Sequence, residues 1–142
     1  MFKQYYSDRF REIIDEPLEP GDGLGDDAVR AAVAARGLTI PAALSDFYSL
    51  AGRHWIHENH DLLLPIEKLE WMGDKLVFMK ENQAVWFWGI DRADLGEADP
   101  IVWRADNEEP IRWQLENRRL SRFLMAEWTW NMTGEESGRE SD

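Results

Sequence analysis

The clearest period-3.6 apolar pattern opens the chain, where Phe2, Tyr6, Phe10 and Ile13 fall on one helical face before Pro17 interrupts it. A second helix is predicted after Asp26 and Asp27, with Val29, Ala32 and Val33 as its stripe and Gly37 placed to stop it. A third occupies TIPAALSDFYSLAG, where Thr39 can cap, Pro41 sits in the first turn, Ile40, Leu44, Phe47 and Ala51 align, and Gly52 closes. The fourth comes late, with Ser121 as its expected cap and Phe123, Leu124, Trp128 and Met132 sharing a face before Gly134.

Between the third and fourth helices the spacing changes. KLVFMK, AVWFWGI, PIVWRAD and IRWQLE are short, rich in aromatic and β-branched residues, and separated by turn chemistry, so they read as successive antiparallel strands, with LLLPI as a further strand or its end. IRWQLE alternates: Ile111, Trp113 and Leu115 are expected to meet the core, and Arg112, Gln114 and Glu116 to meet water. AVWFWGI does not alternate, which predicts cover on both faces, and Gly89 suggests a bulge or a close backbone approach. Glu81, Asn82 and Gln83 read as the hairpin turn ahead of that strand, with Asn82 suited to positive φ.

The chain has 142 residues, 44% of them apolar, so one domain over residues 1–134 can bury roughly 70% of its extended-chain surface. The tail 135–142, EESGRESD, is too polar to pack and is expected to be disordered. No cysteine is present, which excludes disulfides and thiolate chemistry. The start MFKQYYSDRF lacks an apolar signal region and no run is long enough to span a bilayer, so a soluble cytoplasmic protein without membrane contact is expected. With 28 acidic and 16 basic side chains the net charge is -12, which repels phosphate backbones and attracts a basic partner. Direct nucleic-acid binding is not expected.

The chemistry-bearing candidates are few. His54, His57 and His60 lie three apart in HWIHENHD with Glu58 and Asp61, residue types that bind zinc or nickel. Their spacing fails the helical HExxH arrangement, however, and a strand would send them to alternate faces, so a solvated, tight-turned segment is the default and no metal is assigned. GDGLGDD has three glycines but no preceding strand, no following lysine and two aspartates where a phosphate would sit, so it reads as a flexible linker. The run Asp91, Asp94, Glu97, Asp99 does not match a calcium loop, and no GxSxG is present. Neither a catalytic set nor a cofactor is expected. Eight tryptophans are an excess for this length; Trp86, Trp88, Trp103 and Trp113 are expected to build the core where sheet meets helices, with an exposed one or two as the rival reading.

The order of LTIPAALSDFYSLAG, ENQ followed by WFWGI, DPIVW at Asp99 to Trp103, and the SRFL that opens the last helix resembles the SUKH superfamily, which includes bacterial immunity proteins and fungal cell-wall assembly regulators. The resemblance covers roughly residues 38 to 132. It implies an α+β fold, a mostly antiparallel twisted sheet of five or six strands with helices packed on one side. It also implies a non-enzymatic binding role, most concretely an immunity protein that occludes a cognate toxin, in many cases a nuclease. The family has no shared catalytic residues to carry over.

For the protein-binding surface the expected residues are the acidic turns Asp91, Asp94, Glu97, Asp106, Glu108 and Glu109, with Trp103 or Trp88 as anchor. A scaffold protein for an endogenous partner and a metal-dependent enzyme using the histidines are the alternatives. The role of Arg118, Arg119 and Arg122, a basic patch in an acidic chain, is left open by the sequence.

Overall fold

A computed structural model describes residues 1–54, 57 and 60–134. Four helices and six strands form one α+β domain: α1 (Lys3–Ile14), α2 (Asp26–Ala35), α3 (Ala42–Ala51), β1 (Asp61–Leu63), β2 (Glu70–Met72), β3 (Lys75–Glu81), β4 (Trp86–Asp91), β5 (Ile101–Asp106), β6 (Trp113–Arg119) and α4 (Leu120–Thr133). Every pairing is antiparallel and the sheet is twisted and open, in the order β1-β3-β4-β5-β6. β2 shares the outer edge of β3 with β1: β1 pairs along Met79 to Glu81 and β2 along Lys75 to Val77. Pro65 and a one-turn 3-10 helix at Ile66–Lys68 separate them, because a proline cannot donate to the ladder. The short strand Glu70–Met72 has no counterpart in the sequence reading; three residues are too few for a periodicity signal.

All four helices lie where the apolar spacing put them, but two caps differ from expectation. Thr39 caps nothing, since α3 begins after an extended Pro41. Ser121 lies inside α4, where Asp99 accepts its backbone N–H at 2.8 Å and its hydroxyl at 2.7 Å. A carboxylate 22 residues away thus satisfies an otherwise unpaired helix N–H. At the far end Gly134, before which the helix is expected to stop, takes φ 71° and donates to Trp130 O in a left-handed ending.

The main core lies between the helices and one face of the sheet. Leu76, Phe78, Trp88, Ile90 and Val102 from the strands meet Phe10, Phe47, Phe123 and Trp128 from the helices, all at 2% exposure or less. Phe10 and Phe47 pack on Trp128 at ring distances of 4.7 and 4.9 Å, and Phe123 packs on Trp88 at 5.4 Å. The β3–β4 register slips between Val77 and Met79, so Phe78 and Met79 both join this core. Polar groups tie the layers: the Tyr6 hydroxyl donates to Ala43 O at 2.7 Å, and Asp61 and Asn131 exchange two bonds of 3.1 Å between β1 and α4.

GDGLGDD is not a flexible linker. Glu19 and Asp22 cap a short 3-10 turn reciprocally, and the backbone N–H groups of Leu24 and Gly25 bond to the carbonyls of Tyr48 and Ser49 at the end of α3. A Cβ on Gly23 would stand 1.9 Å from Ser49 O, so the glycine allows this backbone contact. Among the described residues no helix is long and apolar enough to cross a membrane.

Candidate functional site

Among the described residues the second face of the sheet carries no helix. Val77, Phe87 and Ala105 form a small buried cluster there, with Met72, Ile111 and Trp113 packed against it. The ladder sets this face: Gly89 pairs with Trp103, Trp103 with Leu115, Phe87 with Ala105, and Ala105 with Trp113. Trp113 lies over Gly89, whose missing side chain leaves room for the ring; a Cβ there would already stand 3.3 Å from its edge. Gly89 is therefore a close-approach residue, one of the two roles expected for it.

Ile111, Trp113 and Leu115 do point one way, but toward this helix-free face: Trp113 is half-buried and Leu115 is 51% exposed. Glu116, expected in water, is the buried one at 8%, paired with Arg118 at 3.0 Å. A bulge accompanies the change of environment. Two steps along β5, from Ile101 to Trp103, face four along β6, from Leu115 to Arg119, and Asn117 takes φ 69° within it, a conformation asparagine tolerates. Of the four tryptophans expected at the sheet–helix core, Trp88 and part of Trp86 are there, whereas Trp103 and Trp113 are on the opposite face.

Lys75 holds those two rings. Its side chain is only 9% exposed, with the ammonium 4.8 Å from the Trp103 ring centre and 6.0 Å from that of Trp113. Asp74 and Asp91 approach it at 2.9 and 3.6 Å, and the bond from Lys75 holds the Asp74 carboxyl below the usual carboxylate range. A cation over two π faces, with carboxylates completing its shell, offsets much of the cost of burial and restricts both rings.

The acidic residues expected to form one surface separate into two groups. Asp91 ends β4 and Asp94 and Glu97 follow on the β4–β5 connection, whereas Asp106 ends β5 and Glu108 and Glu109 follow on the β5–β6 connection, so the groups lie at opposite ends of β5. Six residues of strand put about 17 Å between them. Trp103 stands between the two groups. The second group lines one cleft of about 290 Å3 with Pro110, Arg112 and Gln114. In the first group Asp91 is engaged with Lys75, Glu97 lies 3.9 Å from Arg119, and a hydrogen bond with Asp94 and its charge raise the Glu97 carboxyl. Trp88 is 1% exposed and cannot anchor a partner.

The hairpin before β4 runs over Asn82 to Val85. Ala84 (φ 57°), not Asn82, takes the positive angle, and one Glu81 carboxylate oxygen accepts from the N–H groups of Gln83 and Val85 at 2.9 and 3.1 Å.

The histidine segment is not a solvated turn at its described positions. His54 and His57 are buried at 8 and 9% exposure, packed edge-on to Phe10 and Phe47, and His57 Nε2 donates to Ala51 O at 2.8 Å. Burial lowers both imidazoles, His57 to about 4. His60 is exposed against Trp130, and no group of three metal-ligating side chains occurs among the described residues. Trp55, Ile56, Glu58, Asn59 and the tail 135–142 lie outside the described residues.

Comparison with protein-family models, with curated proteins and with solved structures finds no match.

Proposed function

We propose that this chain is a non-enzymatic binding module that docks a basic protein on the helix-free face of its sheet. The observation that carries the reading is the juxtaposition on that face: Trp103, Trp113 and exposed Leu115 in the middle, with Asp91, Asp94 and Glu97 beyond one end and Asp106, Glu108 and Glu109 beyond the other. Aromatic anchors inside a charged rim are the arrangement in which a few central residues supply most of the affinity and the rim steers approach. Lys75 restricts the two rings before binding, which lowers the ordering cost at the interface. The net charge of -12 selects for a basic partner.

The resemblance to SUKH proteins gives this partner its most concrete form, a toxin domain with a basic, nuclease-like cleft, blocked stoichiometrically inside the producing cell's cytoplasm. The cleft lined by Asp106, Glu108 and Glu109 would seat a basic side chain of that partner.

Co-expression with the C-terminal domain of the adjacent gene's product tests the reading by growth rescue. The double variant Trp103→Ala, Leu115→Arg should lose rescue while remaining folded, with affinity reduced at least about a hundredfold. Full rescue and unaltered affinity in that variant would remove the face from the interface.

A further inference from the structure

On the opposite side of the sheet, three arginines from three different elements converge on one groove. Arg9 of α1, Arg118 of β6 and Arg122 of α4 line a space of about 450 Å3 with Tyr5, Met125 and Ala126. Among the described residues no carboxylate lines it, although acidic side chains outnumber basic ones by 28 to 16 in the chain.

Two of the arginines are positioned by acids just outside the groove: Glu12 holds Arg9 at 2.6 Å and Glu116 holds Arg118 at 3.0 Å. Arg122 is different. Among the described residues it makes no ion pair, and its guanidinium lies 5.7 Å from the centre of the Tyr5 ring. The Tyr5 hydroxyl likewise has no protein hydrogen-bond partner among them. A planar fork of N–H donors and a phenolic O–H, neither committed among the described residues, therefore line the same groove above the buried Met125 side chain and Ala126.

The charge balance limits what would bind. Of the three guanidinium groups only that of Arg122 is without an ion pair among the described residues, which suits one oxyanionic group rather than a polyanion. The negative field of the whole chain acts against nucleic acid in the same direction. Beyond the donors, the Tyr5 ring and the Met125 and Ala126 side chains offer an apolar wall that a bare inorganic ion would not use.

We propose that the groove between α1 and α4 is a binding site for a small ligand carrying one carboxylate or phosphate group on a flat apolar body, with Arg122 and Tyr5 as its principal donors. Arg9 and Arg118 supply the surrounding positive potential. The site is separate from the docking face and does not depend on the partner bound there.

Benzoate, phenyl phosphate and inorganic phosphate are the probes, titrated into the full chain at constant ionic strength and followed by calorimetry and by amide chemical shifts of α1 and α4. Saturable binding of benzoate or phenyl phosphate is expected, and the tighter of the two identifies the head group. Arg122→Gln should weaken it at least about tenfold and Tyr5→Phe severalfold, with the melting temperature unchanged because Arg122 is exposed. Inorganic phosphate binding as tightly as phenyl phosphate would overturn the apolar part of the site. Absence of saturation by benzoate and phenyl phosphate up to about 10 mM, or titrations unchanged by both substitutions, would overturn the proposal as a whole.

Discussion

On the helix-covered face of the sheet, Leu76, Phe78, Trp88, Ile90 and Val102 are at 1% exposure or less; on the other face, Trp103 and Trp113 are half-buried and Leu115 is half-exposed. Both faces are rich in large apolar side chains. They differ in what closes them. Helices α1, α3 and α4 shut the first face, so its tryptophan is spent on packing, whereas among the described residues the second is closed by its own strand and loop side chains, with Lys75 lying beneath the rings. An aromatic that a helix has already covered is a stability residue. One propped on a buried cation at the surface is free to meet something else.

The sharpest way to break this comparison is to truncate one tryptophan on each face. Trp88→Ala should cost about 3–5 kcal/mol through a cavity among Phe123, Phe78 and Ile90, and urea denaturation would measure it. Trp103→Ala should cost only about 1 kcal/mol in the same assay, since the ring is already partly wet. Equal losses at the two positions would erase the distinction between the faces.

Mild acid, between about pH 6.5 and 4, acts on the covered side through His57. His57 is held neutral by burial with a pKa near 4, against about 6.5 in the unfolded chain, so the unfolded state binds the extra proton between those values. Its contribution is complete above about pH 6.5 and declines as pH falls toward 4, a loss of about 3 kcal/mol. Denaturation midpoints across that range should fall, and His57→Gln should flatten the dependence while leaving the fluorescence of Trp103 and Trp113 unchanged.

Lys75→Met keeps the stem under the rings and removes the charge. A loss of about 1–2 kcal/mol is expected from the missing cation–π and carboxylate contacts, with a shift in tryptophan emission as the two rings loosen. An unchanged emission spectrum would mean that the rings hold themselves.

The smallest stability effect belongs to the rim. Asp94→Lys and Glu108→Lys should each change stability by less than about 0.5 kcal/mol, because neither carboxylate forms an ion pair among the described residues. Both should slow association with a basic partner, most strongly at low salt. Association rates that do not respond would remove these turns from the interface.

Residue spacing by itself determined the helices and most of the strands. Tyr6 and Phe10, Leu44 and Phe47, and Leu124 and Trp128 repeat at three- and four-residue intervals that only a helix can gather on one side, and the antiparallel series from KLVFMK to IRWQLE follows from short aromatic and β-branched runs joined by turns. Composition similarly fixed the negative surface. Which side of the sheet each alternating set would occupy was a tertiary decision. Alternation says that Trp113 and Leu115 share a face, but only the placement of α4 and the bulge at Asn117 turns that face from the helices and buries Glu116 instead.

Long-range contacts account for the remaining differences. Asp99 reaches the start of α4, Gly23 fits against Ser49 O, Lys75 lies under Trp103 and Trp113, and Arg9 shares a groove with Arg118 and Arg122. Each of these pairings joins residues more than twenty positions apart, where local periodicity carries no information about proximity. Chain folding alone brings such groups together, because the burial that positions them is a property of the assembled layers and not of any one segment.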